Sequence, residues 1–117
     1  MLVATPKHKV YLAVQAIDFR CGIDSLNALC RKQFLMDPFS GHYFIFRNRK
    51  ASAIKVLIYD SQGFWLCQKR LSKGSFRYWP KQACAVVMLN SAQFQVLLQN
   101  GDPSAINNEA PWRQLPG

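Results

Sequence analysis

Apolar residues fall in two rhythms along this chain, and the changes of rhythm mark its elements. Val10-Tyr11-Leu12-Ala13-Val14 is rich in β-formers and predicts a first strand. From Gly22 the spacing lengthens. Ile23, Leu26, Cys30 and Phe34 recur at helical intervals, with Asn27, Arg31 and Lys32 elsewhere on the cylinder, which predicts a helix over 22–36. Asp24 suits the positive end of its dipole. Asp37-Pro38 ends it, because a residue before proline avoids the α region. After the loop 37–41, strands are predicted at 42–47, 53–60, 64–71 and 75–79, with a candidate sixth at 85–89.

Asn90-Ser91-Ala92-Gln93 has capping-box character, and Leu89 and Phe94 stand at the staple positions. A second helix is therefore expected over 91–100, stopped by a left-handed Gly101. Beyond it, 102–117 holds three prolines and no periodicity, and reads as a flexible tail behind a single domain, 1–101. The class implied is α+β, with a mainly antiparallel sheet of about five to six strands.

Two turns resemble each other. Asp60-Ser61-Gln62-Gly63-Phe64 and Leu71-Ser72-Lys73-Gly74-Ser75 each place glycine third in a three-residue loop, the usual site of a left-handed residue. On that reading, 53–60, 64–71 and 75–79 form a meander. Lys55 then faces Lys69, and Lys69 faces Arg77. Side-chain alternation puts this row on one face with Tyr59, Trp65 and Trp79, and leaves Ile54, Val56, Ile58, Phe64, Leu66, Phe76 and Tyr78 as the core face. Arg70 falls on the core face and has to snorkel outward. A slip of one residue would invert these assignments.

Charge sharpens the picture. Fifteen Lys and Arg oppose six Asp and Glu in 117 residues, a net charge of +9. Such a balance points to a polyanionic partner, nucleic acid above all. Between Tyr43 and Lys81 the cations include Arg47, Arg49, Lys50, Lys55, Lys69, Arg70, Lys73 and Arg77, and the only acid is Asp60. Like charges facing each other across strands are destabilising. A bound polyanion would relieve that repulsion, and the neighbouring aromatics Tyr59, Trp65 and Trp79 are suited to stacking or to an interface. Solvated lysine and arginine stems are the alternative for each cation taken singly.

Other chemistry is sparse. Cys21, Cys30, Cys67 and Cys84 contain no C-x-x-C pair and sit in apolar patterns, so reduced thiols are expected, with neither zinc nor disulfides. Asp18, Asp24, Asp37 and Asp60 are scattered over different elements, and Asp18 and Arg20 suggest a local pair. No catalytic set, metal site or cofactor is expected. The apolar run at 1–6 is too short for a signal peptide, and nothing approaches a membrane span, which predicts a soluble cytoplasmic protein.

Three segments carry a resemblance. DFRCGIDSL from Asp18, DPFSGHYFIFRNR from Asp37, and IKVLIYDSQGFWLCQKRLSKGSFRYWP from Ile54 are similar to the TnpB-like accessory proteins of the insertion-sequence sixty-six family of bacterial transposable elements. Leu97-Leu98-Gln99-Asn100-Gly101 approximates that family's ending, so about residues 8–101 are covered. Cys21 stands where the family usually has a basic residue, Tyr59 where it has Trp, and the spacing from Phe76 to Trp79 differs by one. The resemblance implies a role in transposition beside a separate DDE transposase. It supplies no biochemical mechanism. The leading expectation is a non-enzymatic DNA-binding accessory factor. The alternatives are a protein-interaction subunit docked on the transposase, and a cryptic nuclease.

Overall fold

A computed structural model describes residues 8–105 and 113–114. Strand β1 is Val10–Ala13, helix α1 is Ile23–Lys32, and strands β2, β3, β4 and β5 are Tyr43–Arg47, Ala53–Tyr59, Phe64–Arg70 and Val86–Leu89. Helix α2 is Ser91–Leu98, and a two-residue strand β6 is Arg113–Gln114. One mixed sheet runs in the order β4-β3-β2-β1-β5-β6. Only β1 and β2 run parallel, joined through α1, as a parallel pair requires a crossover. The α+β class and mainly antiparallel sheet are as the sequence implied. The predicted tail, 102–117, lies in large part outside the described residues. Of it, Pro103–Ala105 form a 3-10 turn and Arg113–Gln114 pair with β5.

Both faces of the sheet are covered. Val10, Leu12, Tyr43, Ile45, Ile54, Val56, Val87 and Leu89 pack with Phe94 and Leu97 of α2. Ala13, Phe44, Phe46 and Leu57 pack on the other side with Leu26 and Cys30 of α1. The near-continuous apolar run from Ile54 to Ile58 has the character of a strand buried on both faces. That double burial is why period-two patterning could not say which face was which.

Three expectations are corrected. The turn after β3 closes one residue early. The Asp60 N–H donates to Gly63 O at 3.0 Å, and Tyr59 pairs with Phe64. Ser61, not Gly63, takes the positive φ, at 77°. The Asp60 carboxylate accepts the N–H groups of Gln62 and Gly63 at 3.0 and 2.9 Å, which holds the short loop. The register therefore shifts by one. Lys55 faces Gln68, and Lys69 faces Ile54.

Second, 75–79 is not a strand. Gly74 does take the left-handed conformation, φ 74°, but no return strand follows. Phe76 and Trp79 are both buried in the core on the α2 side. Residues three apart cannot share a face of a strand, so two buried aromatics bend the segment out of β geometry. Residues 71–85 instead form a strap from β4 across to β5.

Third, both helices end earlier than expected. α1 stops at Lys32, and Leu35 turns left-handed at φ 54°. The capping box of α2 forms as expected, with Asn90 Oδ1 accepting from Gln93 N and Gln93 Oε1 from Asn90 N. Its left-handed stop, however, is Asn100, φ 60°, rather than Gly101. Gly101 is required for another reason. Its N–H reaches Val96 O at 2.8 Å, and a Cβ there would lie 2.7 Å from Val96 Cγ1.

Candidate nucleic-acid interface

The register decides where each cation goes. Lys55 is 7% exposed and lies on the α1 side of the sheet. Its ammonium donates to the carbonyls of Phe19 and Cys21 at 2.7 and 2.9 Å and sits 4.7 Å from the centre of the Phe19 ring. It is a strut under the loop between β1 and α1, not part of a surface row. Lys69 emerges on the opposite side and donates to Leu98 O, where a cation complements the negative end of α2. The row of Lys55, Lys69 and Arg77 therefore does not exist.

A different grouping does. The chain direction brings three connections to one end of the sheet: the loop after β1, the turn 48–52, and the strap from Leu71. Hydrogen bonds lock them together. Ile17 N donates to Arg47 O at 2.9 Å, Leu71 N to Ser52 O at 2.9 Å, and Phe76 N to Ala51 O at 2.7 Å. The turn is shaped by Asn48, whose Oδ1 accepts from the N–H groups of Ser52 and Ala53. The strap is fastened by Asn100, whose Nδ2 donates to Ser75 O at 2.9 Å and whose Oδ1 accepts Arg77 N–H at 3.1 Å. Arg49, Lys50, Arg70, Lys73 and Arg77 are all exposed on these pieces.

Arg47 is half-buried and turns inward. Its Nη1 donates to Asn48 O and Arg49 O, and its Nε is buried without a partner among the described residues. Asp18 is a carboxylate at this end, gripped by Arg20 with Nη2 2.7 Å from Oδ2. The Arg20 side-chain bonds, then its backbone N–H, hold the Asp18 carboxyl down at about 2, and the charge of Arg49 adds to the effect. Arg20 is thus near the cluster but neutralised. Among the described residues no other ion pair forms, which leaves the five exposed cations uncompensated.

The aromatics divide too. Trp79 is buried, its indole N–H donating to Ala13 O at 2.9 Å, so it cannot stack on a base. Tyr59 is half-buried against Phe39 and Phe64, and its hydroxyl donates to Ser61 O. Trp65 is 60% exposed but stands five residues from Arg70, roughly 17 Å along β4 at about 3.3 Å per residue. The aromatic at the basic end is Tyr78, 40% exposed, with the Arg77 guanidinium 6.0 Å from its ring centre. The sequence pairing of Arg77 with Tyr78 carried that signal. The sequence reading assigned no role to the side chains of Asn48, which bonds within its own turn to Ser52 and Ala53, or of Asn100, whose partners Ser75 and Arg77 lie on the strap.

The remaining chemistry is quiet. Burial pushes the Cys30 thiol up to about 12. Asp60 is held below the ordinary carboxylate range by the Gln62 N–H, the Trp65 indole and the Gly63 N–H. It lies at the far end of β3 from Asp18. No helix among the described residues is long and apolar enough to cross a membrane.

Comparison with known sequences gives the same assignment as the motifs. Residues 8–108 match the model of the family described as IS66 Orf2 like protein. Two similar proteins come from Sinorhizobium fredii (strain NBRC 101917 / NGR234). Uncharacterized protein y4hO is 34% identical over 102 residues, covering 87% of this chain and 88% of its own. Uncharacterized protein y4jC is 31% identical over 94 residues, covering 80% of each. No solved structure matches. With the family match spanning nearly all of the described fold, the chain belongs to the IS66 Orf2-like family and is a transposition accessory protein.

Proposed function

We propose that this accessory protein binds DNA with the basic end of its sheet, beside a transposase that performs the chemistry. One observation carries the reading. Two backbone hydrogen bonds, Leu71 N to Ser52 O and Phe76 N to Ala51 O, hold two cation-bearing loops side by side. Arg49, Lys50, Arg70, Lys73 and Arg77 then form one uncompensated cluster, and repulsion within it is relieved by a phosphate backbone. The protein itself supplies no catalytic step on this reading. Asp18 and Asp60, at opposite ends of the sheet, are both occupied by local hydrogen bonds.

Mobility-shift titration on element-end DNA at several salt concentrations tests this. Affinity should fall steeply with salt, at about 0.9 in log K per log salt for each phosphate neutralised. The triple variant Arg49→Glu, Lys50→Glu, Lys73→Glu should abolish binding, while Lys32→Glu on α1 should not. Unchanged binding by the triple variant would reject the proposal.

A second reading, docking on the transposase, is favoured by Leu35. The left-handed turn at Leu35, φ 54°, lets Met36 N–H close the end of α1 on Cys30 O at 2.9 Å, but it leaves this large apolar side chain 84% exposed. Co-purification with the transposase that survives high salt and nuclease, and is lost in Leu35→Asp, would favour it.

A further inference from the structure

The sheet has two unequal edges. β6 is two residues long, whereas β4 runs seven residues in unbroken register with β3, without proline or bulge. Edge strands of soluble proteins are ordinarily guarded by such interruptions or by charges. Here Lys69, within the strand, is turned away to Leu98 O, and Arg70 stands at the very end.

The hydrogen-bond phase shows which groups are free. Asp60 N bonds to Gly63 O, and Leu71 N bonds to Ser52 O. Antiparallel pairs alternate between bonded and non-bonded. Trp65, Cys67 and Lys69 therefore point their backbone groups to β3. Phe64, Leu66, Gln68 and Arg70 point theirs outward, and no strand among the described residues receives them.

The same strand carries a knob and a groove on its α2 side. Ile54, Val56, Cys67, Lys69 and Leu98 are among the residues lining an open groove of about 240 Å³. Trp65, on that side, is 60% exposed, its indole fixed by a 2.8 Å bond from Nε1 to Asp60 Oδ2.

We propose that β4 pairs antiparallel with β4 of a second copy about a two-fold axis at Cys67, each Trp65 entering the other copy's groove. An axis normal to the sheet preserves faces, so overlap of all seven residues pairs Cys67 with Cys67, Trp65 with Lys69, Leu66 with Gln68, and Phe64 with Arg70. Each cationic position then lies opposite an aromatic one rather than a like charge. Sliding the axis to Lys69 would oppose two ammonium groups. The contact is self-complementary, as a two-fold interface must be. Because the axis reverses the strand, the two basic ends face opposite ways. The pair then reaches two DNA segments, a consequence that rests on the DNA-binding reading, whereas the pairing does not.

Sedimentation equilibrium without DNA, at micromolar protein, tests the pairing. The mass should be twice the 13.4 kDa of the chain. Trp65→Ala should raise the dissociation constant about tenfold or more. Gln68→Pro removes an outward N–H that β3 does not use, and should leave a folded monomer. Mild oxidation should cross-link the pair through Cys67, because a non-bonded antiparallel pair has Cα atoms about 4.5 Å apart, within the disulfide range. The cross-link should vanish in Cys67→Ser and persist in Cys84→Ser. A monomer throughout, or a dimer unmoved by Trp65→Ala whose cross-link survives Cys67→Ser, overturns the proposal. If Gln68→Pro fails to fold by circular dichroism, Trp65→Ala and the cross-link decide. Since no DNA is present, these results stand apart from the fate of the DNA-binding reading.

Discussion

Lys55 faces Gln68, and its ammonium lies 2.7 Å from the carbonyl oxygen of Phe19, thirty-six residues earlier in the chain. A cation that would otherwise be a candidate for phosphate contact is a structural donor. It supplies the loop between β1 and α1 with hydrogen bonds to the Phe19 and Cys21 carbonyls. Lys55→Met keeps the apolar stem and removes the donor. Two half-buried carbonyls then lose their partner, and urea unfolding should show a loss of about 1–3 kcal/mol. DNA affinity of the folded variant should stay close to wild type. Arg49→Glu should show the reverse, with stability kept and affinity lost.

Asn100 makes a second separable prediction, because it serves through its backbone and its side chain. Asn100→Gly keeps the left-handed conformation but loses the bonds to Ser75 O and Arg77 N–H. Asn100→Ala loses both. Thermal unfolding should rank wild type above Asn100→Gly above Asn100→Ala, with the last step worth about 1 kcal/mol. Both variants free the strap that carries Lys73 and Arg77. DNA binding should weaken in both, by similar factors. An equal loss of stability in the two would show that the left-handed conformation contributes nothing.

The acid limb of stability should depend on Asp18 and Asp60. Both carboxyls are held below the ordinary value of 3.8, Asp18 to about 2 by Arg20, and Asp60 by the Gln62 N–H first. A lowered folded value means that the unfolded chain binds more protons in this window, so stability rises with pH there. Their contribution is complete above the unfolded value of 3.8 and is lost as pH falls toward about 2 for Asp18. Asp18→Asn with Asp60→Asn should therefore flatten the pH dependence of unfolding between those limits. Near neutral pH the slope should not change.

Much of the fold is legible in the sequence because short-range physics writes it there. The helical spacing of Leu26 and Cys30, the Asn90 and Gln93 capping box, and the β-rich run from Ile54 each report on residues close in the chain. The candidate site is less legible. Arg49, Lys50, Lys73 and Arg77 are conspicuous as cations, but their grouping depends on the hydrogen bond from Phe76 N to Ala51 O, across twenty-five residues. Lys55 and Lys69 look identical to them in a one-dimensional list, and only the fold separates them, by burying Lys55 and placing Lys69 beside Leu98 O.

By itself the sequence determined both helices and strands β1 to β5, the surplus of positive charge and the family, since periodicity, caps, composition and motifs are all local properties. Only the tertiary structure decided the register, and with it every face. One residue in one turn, Ser61 in place of Gly63, moved Lys69 from Lys55 to Ile54. A sheet covered on both sides offers no polar face in its strands to reveal such a slip. The basic residues of QKRLSKGSFRYWP therefore do not line a sheet face. Phe76 and Trp79 drop into the core, and that descent lifts Lys73 and Arg77 to the end of the sheet beside Arg49 and Lys50.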